Sequence, residues 1–332
     1  MNTPKRFLLG VFFLKEILMN KNVIIVVVAL LVGCCWWWVG KKTGENKHAI
    51  AVLKIASHAA LDASESAFIN AIKEKTGNKY LFVIKNADGS VANAQAIAHG
   101  LVARQDVVAF YALGTPSLQS LVHKESERPV LFSAVTYPEK LGLIKGNVVG
   151  ASDYFDLQEL VLFSHKLLPQ ALRVGILYNP GTEIAQHELA VLEASCTQLG
   201  LQPVKIAGIT EADILGSLKS NLRKIDMCIA PTDNMIASVL PSIAALCNHE
   251  HIPLIAAWQT ALEDGALAAL GMDYSELGTN VGSVALDILD GKISSQDVGI
   301  LRARPTGVLN KKLKDYYGKI ISMNPAICRE EK

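Results

Sequence analysis

The chain has 332 residues, half of them hydrophobic, with 19% charged and a formal net charge of +1. That length supports two lobes with separate cores. The near-neutral balance, with no basic run interleaved with aromatics, excludes the electrostatic footprint of a nucleic-acid-binding protein.

At the N-terminal end, Asn20-Lys21-Asn22 precede the uncharged run 23–32, which closes on Gly33-Cys34. A short positive segment, an apolar run and a small residue at the cut site have the form of a secretory leader. A cysteine at that point resembles a bacterial lipobox. On this reading Cys34 becomes an acylated N-terminus that tethers the rest outside the cytoplasmic membrane. The alternative is an uncleaved anchor: residues 23–39 carry no charge, and Trp36-Trp37-Trp38 suit a membrane interface. A second apolar run, 7–14, is bracketed by Lys5, Arg6, Lys15 and Glu16, so Met1 and Met19 both stand as possible starts. Residues 1–47 are set apart as leader, lipobox and tether. Beyond them, Cys196, Cys228, Cys247 and Cys328 are widely spaced and form no C-x-x-C, which gives no zinc pattern. Cys196 and Cys228 lie in apolar contexts and are expected to be buried thiols.

From residue 48 short β-type runs alternate with amphipathic helical stretches. Strands are expected at 48–55, 80–85, 107–112 and 130–133. Helices are expected at 62–76, with Asp62 as its cap, and at 90–104, where Val91, Ala94, Ile97, Ala98, Leu101 and Val102 share one face. Gly114-Thr115-Pro116 opens another helix, since proline suits a first helical position. The pattern then restarts. Helix 156–168 stops at Pro169, strand 173–178 runs into the turn Asn179-Pro180-Gly181, and helix 184–199 closes at Gly200. Strand 204–207, helix 211–222, strand 227–230 and helix 235–249 follow. Strands 254–257 and 266–271 precede helix 275–289, closed by Gly291.

Strands regularly separated by helices mean βαβ units and parallel sheets. Two such series predict an α/β fold of two Rossmann-like lobes joined by a hinge. The expected N-terminal lobe is 48–152 plus 273–291, and the C-terminal lobe 153–272 plus 292–325. The crossings are expected near 150–153, 256–260 and 289–293.

In such sheets ligands bind beyond the carboxyl ends of the strands. Polar or aromatic residues stand at nearly all of these places, among them His58, Thr115, Ser133, Thr136, Tyr178, Asn179, Asp233, Trp258 and Asp273. Two facing sets would line a cleft. No catalytic constellation and no metal-ligand set emerges. The chain lacks a G-x-S-x-G elbow, a P-loop and a G-x-G-x-x-G after its first strand. His249-Glu250-His251, followed by Pro253, reads as a solvated helix end, and the adjacent Glu263 and Asp264 diverge.

Six segments in register carry a resemblance. They are His58-Ala59-Ala60-Leu61-Asp62, Ala112-Leu113-Gly114-Thr115-Pro116, Phe132-Ser133-Ala134-Val135-Thr136, Leu177-Tyr178-Asn179-Pro180, Ala230-Pro231-Thr232-Asp233-Asn234, and Gly265-Ala266-Leu267 through Gly271-Met272-Asp273-Tyr274-Ser275-Glu276-Leu277-Gly278. With Asn310 near the end, the chain resembles the extracytoplasmic substrate-binding proteins of tryptophan/tyrosine-type ABC importers. Their fold is the type I periplasmic-binding fold, related to the branched-chain amino acid binding proteins. The resemblance implies a monomer without cofactor that clamps a small solute, an aromatic amino acid above all, and delivers it to a membrane permease and its ATPase. A sensory lipoprotein feeding a receptor, or a hydrolase or dehydrogenase on the same scaffold, would be the rival functions. One departure stands out: the family commonly has Asp where Tyr137 stands, in Thr136-Tyr137-Pro138.

On the resemblance, the ligand is a zwitterion. Its carboxylate needs hydroxyls and N–H donors at a helix start, which Thr115-Pro116, Ser133 and Thr136 would supply. Its ammonium needs a carboxylate: Asp233 first, Asp273 second. Asp233 equally fits an N-cap, as does Thr115. Tyr137, Tyr154, Tyr178 and Trp258 would form the side-chain subsite, with lobe packing as the alternative for Tyr154 and Tyr178. His58, Asn179 and Asn234 would complete the wall.

Overall fold

The computed structural model describes residues 48–322 and 329–330. Cys34, the rest of the leader and Cys328 lie outside the described residues. The first sheet holds β1 (Ala49–Lys54), β2 (Leu81–Asn86), β3 (Val107–Leu113), β4 (Val130–Ser133), β5 (Val148–Ser152) and β11 (Leu301–Arg302), in the order β2-β1-β3-β4-β5-β11. Every pairing in it is parallel. Helices α1 (Ala59–Thr76), α2 (Val91–Val102) and α3 (Thr115–Val122) connect its first four strands. The central strands β1 and β3 are apolar but for Lys54 at the end of β1, because helices cover both faces.

The second sheet repeats the plan. It takes β6 (Arg173–Tyr178), β7 (Gln202–Ala207), β8 (Met227–Ala230), β9 (Leu254–Trp258), β10 (Ala268–Met272), β12 (Thr306–Leu309) and β13 (Arg329–Glu330), in the order β7-β6-β8-β9-β10-β12-β13. Its connecting helices are α4 (Leu157–Leu167), which enters β6, then α5 (Glu183–Gln198), α6 (Glu211–Asn221), α7 (Asn234–Ser238) and α8 (Leu240–His249). The order begins 2-1-3-4-5 in both sheets, so each has a switch point beside its first strand, where ligands collect.

Several expectations differ from what the chain does. Strand β5 stands outside the expected set, because Gly150 interrupts its apolar run; a Cβ there would lie 2.1 Å from the Phe132 carbonyl oxygen, so only glycine lets β5 approach β4. The single helix 235–249 is two helices, α7 and α8, because Pro241 must sit in the first turn of a helix. Helix α1 begins at Ala59, so Asp62 falls in its first turn and pairs with Lys54 Nζ at 2.6 Å instead of capping. Not every strand is parallel: β12 runs antiparallel to β10.

That last difference follows from the crossings. The chain passes between sheets at 153–156 after β5, at Asp273 between β10 and α9 (Tyr274–Leu289), and at 303–305 between β11 and β12. Strand β11 runs parallel to β5, so the chain leaves it at the carboxyl end and enters the second sheet from that side. The segment 256–260 is no crossing, since β9 stays inside the second sheet. Neither is 289–293. Asp290 and Lys292 are tied to each other, and Asp290 to Lys79 beyond α1, so this turn stays with the first lobe. Residues 301–302, expected with the second lobe, belong to the first sheet.

Helix α9 packs along α1, and glycines set how closely. A Cβ on Gly278 would lie 2.2 Å from the Ser64 carbonyl oxygen, and one on Gly282 2.9 Å from that of Phe68. Gly278→Ala should gain about 1 kcal/mol of helix propensity yet lose more to backbone displacement. The net expectation is a destabilisation of about 1–3 kcal/mol in urea unfolding; equal or higher stability would show that the helix contact yields freely.

Candidate functional site

A cavity of about 340 Å³ opens between the carboxyl ends of the two sheets, at the lower end of the size of small-molecule pockets. The first lobe lines it with His58 after β1, Thr115 and Pro116 at the start of α3, and Ala134 and Thr136 after β4. The second lobe contributes Tyr178 and Asn179 after β6, Glu188 from α5, Asp233 and Asn234 after β8, and Trp258 at the end of β9. Asp153 and Tyr274 enter from two of the crossings.

Local backbone explains how these groups meet. Gly114 takes φ 86°, and a Cβ there would press on Ile55 at 2.7 Å and approach Asn234 Nδ2 at 3.5 Å. The glycine thus lets the α3 start stand close to the opposite lobe. Ala134, with φ 60°, holds a left-handed turn at the cavity wall, a strained choice for a residue with a Cβ. Across the cleft, His58 Nε2 lies 3.2 Å from Asn234 Oδ1. Burial lowers the His58 pKa, favouring the neutral ring, so Nε2–H donates to the amide oxygen. Its Nδ1 is buried without a partner among the described residues.

Three carboxyl groups face this space. Asp153 is 3% exposed; Tyr274 Oη donates to its Oδ2 at 2.6 Å, and the Thr136 side chain is its other hydrogen-bonding neighbour. Burial pushes the Asp153 carboxyl above the usual range, against the pull of hydrogen bonds from the Tyr274 and Thr136 side chains. Glu188 is 5% exposed, and burial, reinforced by Asp153 and Asp233, pushes it up to about 8. Asp233 also moves up through burial, but less freely, because it accepts from the α7 backbone and from Asn179.

Of the residues expected from sequence, His58, Thr115, Pro116, Thr136, Tyr178, Asn179, Asp233, Asn234 and Trp258 stand on the cavity wall. Four stand elsewhere. Ser133 is buried in the first core, where Tyr111 Oη donates to its Oγ at 2.8 Å and also meets Ser64 Oγ at 2.8 Å. Tyr137 and Tyr154 pair with each other, ring centroids 5.1 Å apart, outside the wall. His187 and Lys140 Nζ flank the Tyr137 ring at 6.2 and 4.8 Å. Asp273 is exposed and caps α9, accepting from the Ser275 and Glu276 amides.

Asp233 does act as a cap: its Oδ1 accepts from Ile236 N at 3.0 Å. Asp233→Ala should therefore cost about 1 kcal/mol of stability, read by urea unfolding; no loss would mean that the cap is dispensable. Sequence reasoning misses Asp153 and Glu188 as site residues. A signal exists for Glu188, since it shares a helix face with the buried Ala185, Leu189, Leu192 and Cys196. An acid on an apolar face is that signal.

Residues 49–322 match the family model of the ABC transporter substrate binding proteins. The tyrosine-binding protein of Clostridioides difficile (strain R20291) is 30% identical over 263 residues, 76% of each chain. A conserved domain protein from Vibrio cholerae superposes with a TM-score of 0.77 at 27% identity, covering 86% of this chain and 100% of its own. An ABC domain from Streptococcus pneumonia, solved in complex with L-Trp, has the same fold: TM-score 0.77, 23% identity, coverage 86% and 99%. The two-sheet architecture is that of the type I periplasmic-binding proteins.

Proposed function

Because the chain belongs to the ABC transporter substrate-binding protein family, we propose that it captures an amino acid, an aromatic one foremost, in the cleft between its lobes. It then delivers the ligand unaltered to a membrane permease driven by an ATPase. The protein works outside the cytoplasmic membrane, held there by an acylated Cys34. The lobes that close are 48–152 with 273–302 and 153–272 with 303–322.

The observation that carries this reading is the composition of the inter-lobe wall. It joins a helix start bearing Thr115, two aromatic side chains, Tyr178 and Trp258, and the buried carboxyls of Asp153 and Glu188. The names of the relatives, one binding tyrosine and one solved with L-Trp, agree with it. Asp153 and Glu188 take the ligand ammonium; Asp233 is largely occupied as a cap and plays the lesser part. The ligand carboxylate lies at the Thr115 end, beside the start of α3, where the helix favours an anion. Closure is driven by contacts that only the closed form completes, and the His58–Asn234 bond across the cleft is one such contact.

A thermal-shift screen of all the amino acids with the purified full chain tests the reading. A ligand at a hundred times its dissociation constant adds about 2.7 kcal/mol of stability. Tryptophan, tyrosine or phenylalanine should raise the melting temperature. A response to sugars alone, with none to any amino acid, would contradict it.

A further inference from the structure

We propose that Cys228 and Cys247 close a disulfide in the mature protein, forming a covalent ring around the stretch of the second lobe that carries Asp233 and Asn234.

The backbone brings the two residues together. Cys228 stands opposite Leu254 where β8 pairs with β9, and its amide donates to the Pro253 carbonyl at 2.8 Å. Cys247 lies in the last turn of α8, and its carbonyl accepts from Ile252 N at 2.9 Å. One turn thus ties both residues to the adjacent positions Ile252 and Pro253, and sets the end of α8 against β8. His251 makes that turn at φ 56°, a conformation costly for a residue with a Cβ. The Cys247 thiol is the hydrogen-bonding neighbour of the Cys228 thiol, and both side chains are fully buried. The structure holds them as free thiols, the reduced form of the pair. Cys196 differs: on α5, only burial and Glu193 act on it.

Outside the cytoplasm disulfides form and persist, and the function proposed above puts the chain there. The oxidant is a small disulfide such as oxidised glutathione. One cysteine thiolate attacks it, giving a mixed disulfide and releasing one glutathione thiol. The second thiolate then displaces the other glutathione. The cysteines give up two hydrogens and two electrons, which the two released thiols carry. The Cys247 bond and burial hold the Cys228 thiol well above its ordinary value, so the folded pair is a poor nucleophile. Exchange therefore takes place while the second lobe folds, before α8 settles against β8. The ring so closed contains α7 and most of α8, with Asp233 and Asn234 of the cleft wall. Joining its ends removes loop-closure entropy from the unfolded chain.

The full chain refolded in a glutathione redox buffer, alkylated in denaturant without reductant and mapped by mass spectrometry, tests this. A peptide holding Cys228 should be joined to one holding Cys247, lighter by two hydrogens than their sum, while Cys196 carries the alkyl group. Adding reductant should raise the unfolded fraction in urea about a hundredfold, and should leave Cys228→Ser unmoved. Full alkylation of both Cys228 and Cys247, or either joined to a different cysteine, would overturn the proposal. Should refolding fail, the same map of the chain exported by a bacterial host and alkylated before lysis decides between the same two outcomes. Neither outcome touches the reading of the cleft, which binding of amino acids decides separately.

Discussion

Glu188→Gln is expected to make the folded chain markedly more stable at pH 8 and to leave it little changed below pH 4.5. In the folded protein Glu188 keeps its proton up to about 8, against an ordinary value of 4.5. A carboxyl whose folded value is raised contributes stability that is fully present below the unfolded value. That stability is lost as pH rises toward the folded value. The unfolded chain ionises freely between pH 4.5 and 8, while the folded one resists, because burial and the facing Asp153 and Asp233 oppose the charge. The loss over this window is on the order of 3–5 kcal/mol. Glutamine matches the protonated acid in shape and cannot ionise, so the variant escapes the loss. Urea unfolding of parent and variant at pH 4.5 and pH 8 should give curves that nearly coincide at the lower pH and separate at the higher. Parallel profiles would mean that Glu188 meets water or a cation in the native state.

Trp258→Ala should cost about 3–5 kcal/mol, the usual loss when a buried aromatic is cut to a methyl. Trp258 is 2% exposed and ends β9, in register with Met272 of β10. The backbone cannot collapse into the gap by sliding these strands together, because they already touch: a Cβ on Gly271 would lie 2.0 Å from the Ala257 carbonyl oxygen. The indole also walls the cleft, so ligand affinity falls with stability. Trp258→Phe separates the two, keeping most of the packing while reshaping the wall. Chemical denaturation checks the first effect. A Trp258→Ala loss under about 1 kcal/mol would show that the indole packs loosely.

The same residues show what a sequence discloses. Runs such as 49–53 of β1 and Val107–Leu113 are apolar on both faces, and a parallel sheet buried on both sides requires that pattern. The rule that ligands gather after such strands places His58, Thr115, Tyr178, Asn179 and Trp258 on one cavity wall. It fails at Ser133, whose hydroxyl is claimed by Tyr111 from the neighbouring strand, a partnership that only the β3–β4 register creates. It does not reach Glu188, which lies in mid-helix. Asp153 and Tyr274 are bonded across 121 positions of chain, and their meeting depends on two crossings that local pattern does not encode. The third crossing escapes a reading of periodicity because the two-residue strand β11 leaves almost no periodic signal. Cys196, Cys228 and Cys247 are buried free thiols, the first two as their apolar neighbours suggest.

The central claim is that buried carboxyls between two closing lobes grip the amino group of a small ligand. Titration calorimetry of the full chain and its Asp153→Asn variant with L-tyrosine and L-tryptophan tests it most directly. One equivalent should bind to the parent chain, and the variant should lose about a hundredfold in affinity while retaining its fold. Equal affinity in the two proteins, or no heat from either amino acid, would contradict the account.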